Sequence, residues 1–163
     1  DNDTAQNNVA RMTEKEGCQV VREEREDGIY LTMTHDGDPR PAAEPAETAP
    51  AGGPLVVAVQ EDSMGRGDVE LGGILVRGFF HTLGEVQPLP DMIIFYNTGV
   101  RLAVEGSPVL DDLKMLEEKG VEILACGTCL GHFNLTEKLA VGEISNMYSI
   151  AEALFGAGKV VNI

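Results

Sequence analysis

Short, unbroken apolar runs alternate with amphipathic stretches throughout residues 55–163. Such runs are typical of strands that are covered on both faces, whereas apolar residues three or four positions apart indicate helices. The runs predict strands at residues 55–60, 92–96, 121–125 and 159–163. The amphipathic stretches predict helices at residues 68–83, 109–119, 130–139 and 149–154. This alternation predicts an α/β fold with an open, mainly parallel, doubly wound sheet.

A segment rich in proline and alanine precedes this predicted sheet. Residues 36–54 (DGDPRPAAEPAETAPAGGP) hold five of the eight prolines and no large apolar side chain. Such a segment buries too little apolar surface to offset the entropy lost on ordering, which is typical of an extended linker. We therefore predict an N-terminal piece at residues 1–35, a linker at residues 36–54 and a C-terminal domain at residues 55–163.

The N-terminal piece is predicted to contain a helix and two strands. The helix would begin after Thr4 and end near Gly17, and the strands would occupy residues 18–22 and 28–34, joined by an acidic turn. A piece of this size is too small to form a self-sufficient core. We therefore expect that more chain precedes Asp1 or that the piece docks on another surface.

The acidic balance of the chain constrains its partners. With 27 acidic against 12 basic residues, the net charge is −15, which repels nucleic-acid phosphates and anionic lipids. Neither nucleic acid nor a membrane is therefore expected as a partner, and no apolar stretch reaches the roughly 18 residues of a membrane span. Three cysteines and a polar start without the features of a signal peptide favour reduced thiols and a cytoplasmic location.

A pair of cysteines, Cys126 and Cys129, gives the strongest chemical signal. The strand at residues 121–125 leads directly to Cys126, Gly127 permits a tight turn, and Thr128 is a candidate cap for the following helix. Cys129 would then lie in the first helical turn, where the helix dipole is expected to lower the pKa of its thiol. A thiolate of this kind can accept and release sulfur or selenium. The alternative is a pair of buried structural cysteines.

Three loops should meet at the carboxyl edge of a parallel sheet, which is where such folds bind ligands. They are residues 62–67, 97–99 and 126–129. In these loops the candidate substrate-binding residues, besides the two cysteines, are Met64, Gly65, Arg66, Asn97 and Thr128. The loop at residues 61–67 precedes a helix and could cradle an anion, but a tight turn with glycines is the favoured interpretation, and its two acids argue against phosphate. Arg66 could steer an anionic sulfur species.

Recognisable cofactor and metal motifs are missing from the sequence. The loop at residues 61–67 lacks both the dinucleotide fingerprint and the Gly-Lys-Ser/Thr of a phosphate-binding loop. A structural zinc site needs four ligands, and His132 would supply only a third beside the cysteine pair. We therefore expect neither a cofactor nor a metal.

Taken together, several motifs in residues 55–163 resemble the YedF proteins, sulfurtransferase-like proteins linked to selenium metabolism. The motifs are MGRGDVELG at residues 64–72, FFHTL at 79–83, YNTGV at 96–100, CGTC at 126–129 and SNMY at 145–148. The resemblance implies a DsrE-like domain with a three-layer α/β/α fold, homo-oligomers and a cysteine that carries sulfur. It favours Cys129 as the carrier and Cys126 as a partner or resolving thiol. An analogy with thioredoxin would instead favour the first cysteine of the motif, Cys126, as the carrier.

The N-terminal piece resembles the latter half of a TusA-like (SirA-like) domain. The similarity lies at Asp1-Asn2 and at residues 8–11 (NVAR), followed by Gly17. Such domains begin with a strand, a Cys-Pro motif and a helix, and this part is not in the sequence. The resemblance implies that the carrier cysteine of that domain lies upstream or has been lost. Cys18 does not match it and takes no role.

Three functions compete on these grounds. The first is a sulfurtransferase-like carrier of sulfur or selenium, which acts through a persulfide or selenide on the CGTC motif with donor and acceptor proteins as partners. The second is a dithiol/disulfide oxidoreductase that uses the same C-x-x-C. The third is a non-catalytic binding or assembly module, which would be favoured if both thiols were buried and unreactive.

Overall fold

The computed structural model describes residues 18–25, 28–35 and 52–163, together with Thr13, which is helical. The chain divides into two compact units, Asp1–Thr48 and Ala49–Ile163. The rest of the helix predicted at residues 4–17 and most of the linker predicted at residues 36–54 lie outside the described residues. The domain boundaries predicted from the sequence therefore stay a prediction.

The first unit contains an antiparallel pair of strands, β1 (Cys18–Arg25) and β2 (Gly28–His35). The pairing runs in continuous register from Cys18 opposite His35 to Arg25 opposite Gly28. Both predicted strands are confirmed, but β1 extends through part of the predicted acidic turn. Strand structure is tolerated there because the charged side chains are exposed, and Arg25 pairs with Glu23 at 2.7 Å and covers the Tyr30 ring at 4.4 Å.

The second unit contains a five-stranded sheet in which all neighbouring strands are parallel, in the order β6-β5-β4-β3-β7. Its strands are β3 (Leu55–Val59), β4 (Met92–Phe95), β5 (Glu122–Cys126), β6 (Glu143–Ser145) and β7 (Lys159–Asn162). The predicted α/β class with a parallel sheet is confirmed. Strand β6 was not predicted, because three residues are too few to show a pattern.

Helices connect the parallel strands in sequence. They are α1 (Val69–Leu83), α2 (Leu110–Glu118), α3 (Gly127–His132) and α4 (Met147–Gly156), with 3₁₀ helices at Asn97–Ala103 and Thr136–Lys138. Crossovers between parallel strands are right-handed, so α1, α2 and α3, which step from β3 towards β6, cover one face of the sheet. Helix α4 returns to β7 across the other face, which gives three layers. In the described part of the chain, no helix is long and apolar enough to cross a membrane.

The core lies between these layers and explains the unbroken apolar runs. Each central strand is covered on both faces, so consecutive side chains from Val56 to Val59 and from Ile93 to Phe95 are buried. Phe80 of α1 lies 5.9 Å from the ring of Phe95, centroid to centroid. This packing fixes the carboxyl ends of β3, β4 and β5, from which the three loops emerge.

The helix predicted at residues 130–139 is wrong. Helix α3 begins at Gly127, with Cys126 rather than Thr128 at its N-cap, and ends at His132. The chain then passes through Asn134, whose φ of 55° is left-handed and cannot continue an α-helix. A short 3₁₀ helix follows at Thr136–Lys138. As a consequence, Cys129 lies in the middle of a short helix that starts directly at the edge of the sheet.

Candidate functional site

The three loops predicted to meet at the carboxyl edge of the sheet are joined by hydrogen bonds. The backbone N–H of Asp62 donates to the Thr98 hydroxyl at 3.3 Å, and Arg101 donates to the Asp62 carboxylate at 3.0 Å. The backbone N–H of Asn97 donates to the sulfur of Cys129 at 3.1 Å. The predicted convergence is therefore confirmed. The 3₁₀ helix Asn97–Ala103 is its centre, because it contacts both other loops.

Cys126 is the last residue of β5 and the N-cap of α3. Its side chain is 1% exposed and belongs to the hydrophobic core. A thiol in this position is shielded from dissolved reagents. Of the two cysteines, Cys126 is therefore the inner one.

Cys129 is the third residue of α3 and is only partly buried. Both thiols are free, and Cys126 and Cys129 occupy the N-cap and third positions of α3, where side chains are neighbours. The Cys129 sulfur accepts the N–H of Asn97, which lies after β4, the strand beside β5. Cys129 thus presents a sulfur atom at the edge of the sheet between one buried thiol and one fixed backbone donor.

The position of the Asn97 donor depends on an unusual local backbone. Asn97 has a φ of 52°, a left-handed conformation that asparagine tolerates better than most residues. Two residues later, Gly99 donates its N–H to the carbonyls of Gln60 and Tyr96, at 3.2 and 3.1 Å. A Cβ atom at Gly99 would lie 2.4 Å from the Val59 carbonyl oxygen, so only glycine fits there. The close approach of this segment to β3 holds Asn97 beside Cys129.

The predicted lowering of the Cys129 pKa is wrong. Burial raises the pKa of the Cys129 thiol, and its interactions with Cys126 raise this pKa further. The Asn97 N–H offsets the rise in part, because a donor stabilises the thiolate. The loss of hydration around the sulfur is the largest of these contributions. At neutral pH the resting form of Cys129 is therefore the neutral thiol.

Removing the Cys126 thiol should make Cys129 more acidic. In Cys126→Ala the hydrogen bond and the repulsion that raise the Cys129 pKa are lost, while the Asn97 donor stays. We expect the midpoint of the pH dependence of Cys129 alkylation by iodoacetamide, measured on its own peptide by mass spectrometry, to move to lower pH. Cys126→Ser keeps a hydrogen-bonding group and should move it less. A midpoint that stays in place or rises in Cys126→Ala would contradict the assigned contacts.

The remaining predicted site residues lie at two places. Thr128 is exposed on α3, next to Cys129. Gly65 and Arg66 are exposed and line a pocket of about 230 Å³ with Gln60 and Asn162, at the carboxyl ends of β3 and β7. Their loop is connected to the cysteine site through Asp62, whereas the pocket itself is two strands away from β5.

Met64, the last of these residues, supports the loop rather than the pocket. Its side chain is partly buried and packs against the core, and its N–H donates to the Gly72 carbonyl at 3.0 Å. Asn97 is therefore the predicted substrate-binding residue that directly contacts a thiol, and it does so through its backbone.

Sequence reasoning missed Arg101, which borders the site. Its guanidinium lies 4.6 Å above the centre of the Phe133 ring, one turn after Cys129, and its other contact is the Asp62 carboxylate. A lone arginine in a non-periodic segment gives no signal in the sequence. The structure shows that it ties the loop at residues 62–67 to the end of α3.

Metal ligands are not gathered at this site. Among the residues that the structure describes, no three His, Cys, Asp or Glu side chains are grouped so that they could hold a metal ion. His132, the candidate third zinc ligand, stacks edge-to-face on Phe133 with ring centroids 4.9 Å apart.

Comparison with known proteins found a family match for the C-terminal part and similar solved structures. No curated protein matches the sequence. The solved structure of a protein of unknown function, MTH1491 from Methanobacterium thermoautotrophicum, aligns with 67% of this chain and 97% of its own, at 17% identity and a TM-score of 0.49. The ychN protein from E. coli aligns with 69% of this chain and 100% of its own, at 16% identity and a TM-score of 0.47.

The family match is a match of sequence. Residues 89–163, from just before β4 to the end of the given sequence, match the DsrE/DsrF-like family. They include both site cysteines, α3 and four of the five parallel strands. The resemblances to the YedF proteins and to TusA-like domains stay predictions. Over residues 89–163 the chain is similar to the DsrE/DsrF-like family.

Proposed function

We propose that this chain is a sulfurtransferase-like carrier that holds sulfane sulfur, or selenium, covalently on Cys129. The observation that carries the proposal is the placement of the Cys129 sulfur. It is partly exposed at the carboxyl edge of the sheet and accepts the Asn97 N–H at 3.1 Å. A partly exposed thiol also favours a carrier over a non-catalytic module, in which both cysteines would be buried. The match to the DsrE/DsrF-like family supports a thiol-based role of this kind.

The proposed chemistry is an exchange at sulfur. The Cys129 thiolate attacks the outer sulfur of a donor persulfide, forms a new S–S bond and expels the donor as its thiolate. The product is a Cys129 persulfide, and no external oxidant or reductant is consumed. A donor that carries selenium in the outer position would give the corresponding selenium adduct. An acceptor thiolate then attacks the outer atom and restores Cys129.

The raised pKa of Cys129 fits a carrier that becomes reactive in contact with a donor. The small thiolate fraction at neutral pH slows attack, but a thiolate of higher pKa is intrinsically more nucleophilic. The Asn97 N–H stabilises negative charge on this sulfur each time it is formed. This balance protects the free thiol from indiscriminate reaction between transfers.

The surroundings of Cys129 suit particular partners. Thr128 is exposed beside Cys129, and the loop that contains Met64, Gly65 and Arg66 lies at the same edge of the sheet, connected to the site through Asp62. We propose donor and acceptor proteins of sulfur or selenium, together with other copies of the chain, as its partners. The cytoplasm, where thiols stay reduced, is the proposed location.

Loading with a defined donor tests this function. The reduced chain is incubated with glutathione persulfide, or separately with its selenium analogue, then desalted and measured by intact-mass spectrometry. We expect one added sulfur, or one added selenium, per chain, removable by dithiothreitol. Failure of both the unaltered chain and Cys126→Ala to gain either atom, at any pH up to the alkaline range where Cys129 is a thiolate, would contradict the proposal.

A further inference from the structure

The proposed carrier function assigns no chemical role to Cys126, although this residue lies at a defined position beside Cys129. It occupies the N-cap of α3, and Cys129 occupies the third helical position. Side chains at these two positions face each other across the first turn, which is why they form reciprocal contacts in capping boxes. The two thiols are therefore neighbours across the first turn of α3.

The burial of Cys126 restricts what it can react with. Its side chain is 1% exposed, so a donor or an acceptor at the surface cannot reach its sulfur. Its reactive neighbour is Cys129, which is only partly buried. A core cysteine with a purely structural role has no need of such a neighbour. The arrangement is that of an internal thiol that acts on whatever Cys129 holds.

We propose that Cys126 attacks the inner sulfur of a Cys129 persulfide and releases the outer atom as hydrosulfide, or as hydroselenide when the adduct carries selenium. This inference rests on the proposed carrier function and extends it. The bond between Cys129 and the outer atom breaks, and a Cys126–Cys129 disulfide forms. The proton of the Cys126 thiol leaves on the hydrosulfide. The outer atom is reduced by two electrons, which come from the two cysteine sulfurs.

The inner sulfur is the atom within reach of Cys126. Cys126 at the N-cap faces the γ sulfur of Cys129 across the first turn of α3, and that γ sulfur is the inner atom of a Cys129 persulfide. The three-residue spacing at a helix start is also compatible with the Cα separation of about 4.4–6.8 Å that a disulfide requires. A dithiol reductant completes the cycle by reducing the disulfide. The chain would thus convert a carried atom into a free, fully reduced anion.

The test follows the fate of the persulfide after the donor has been removed. The full chain is loaded with glutathione persulfide, desalted without reductant and sampled over time. Released hydrosulfide is trapped with monobromobimane, and disulfides are mapped by peptide mass spectrometry. We expect hydrosulfide and a Cys126–Cys129 disulfide to appear together, in equal amounts. Because the disulfide is mapped in the unaltered chain, this result does not depend on a variant that folds.

Variants separate this inference from the carrier function. Cys126→Ala should still load, and faster at neutral pH because its Cys129 is more acidic. It should keep its persulfide more than about tenfold longer, since attack by a neighbouring group is far faster than attack from solution. Cys18→Ser is the matched control and should behave as the unaltered chain. Equal persulfide lifetimes in the unaltered chain and Cys126→Ala would overturn the release step while leaving the carrier intact. A failure of every form to load would overturn both.

Discussion

Replacing Cys129 by serine is expected to reduce sulfur transfer from glutathione persulfide to an acceptor thiol to the rate measured without protein. The hydroxyl of serine has nearly the same shape but is not ionised near neutral pH, so the attacking thiolate is lost completely. Cys126 cannot replace it because its side chain is 1% exposed. Transfer would be measured as persulfide formed on a labelled acceptor peptide.

The control for this variant is Cys18→Ser, in the other compact unit. Cys18 lies at the start of β1 and has no part in the proposed chemistry, so transfer should be unchanged. Cys129→Ser should also unfold at a temperature close to that of the unaltered chain, since the substitution changes one partly exposed atom. Residual transfer in Cys129→Ser well above the background would contradict its assignment as the carrier.

The second large effect is expected for Gly99→Ala. The added Cβ would lie 2.4 Å from the Val59 carbonyl oxygen and 3.0 Å from its carbon, and this backbone belongs to the central strand β3. Neither the Gly99 segment nor the backbone of β3 can shift without disrupting the sheet. We therefore expect the free energy of unfolding to fall by about 1–3 kcal/mol. The displaced 3₁₀ helix would also withdraw the Asn97 N–H from Cys129, so persulfide loading should slow down. Urea unfolding and loading rates measure the two effects.

Gly78→Ala provides the matched comparison. Gly78 lies in α1, is exposed, and a Cβ there meets no atom within 4 Å. Alanine is favoured over glycine inside a helix, so the free energy of unfolding should rise by about 0.5–1 kcal/mol. Loading on Cys129 should not change. If Gly99→Ala were as stable as Gly78→Ala, the tight packing of the 3₁₀ helix on β3 would be refuted.

The sheet could be predicted because strands that are buried on both faces appear in the sequence as unbroken apolar runs. The apolar runs that begin at Leu55, Met92 and Val121 each correspond to a strand to within one or two residues. The apolar pattern does not predict an element that is very short, or the end of an element that depends on an unusual backbone conformation. Strand β6 has only three residues. After α3, Asn134 adopts a left-handed conformation, which the presence of an asparagine in the sequence does not by itself predict.

The location of the candidate site could be predicted, but its electrostatics could not. The C-x-x-C motif directly after a strand predicted the edge of the sheet and the early helical position of Cys129. The pKa of Cys129 depends on burial and on contacts with Cys126 and the Asn97 N–H, which arise only when distant segments pack together. Arg101 went unnoticed for the same reason, because its contacts with Asp62 and Phe133 are tertiary.

The central claim is that Cys129 is the atom on which sulfur is carried. Its most direct test is to locate the sulfane sulfur after loading the unaltered chain with glutathione persulfide. The loaded chain is blocked at once with iodoacetamide, digested without reductant and analysed by tandem mass spectrometry. We predict the additional sulfur on the fragment ions that contain Cys129, with Cys126 and Cys18 free of it. Additional sulfur found on Cys126 or Cys18, with none on Cys129, would contradict the proposed role.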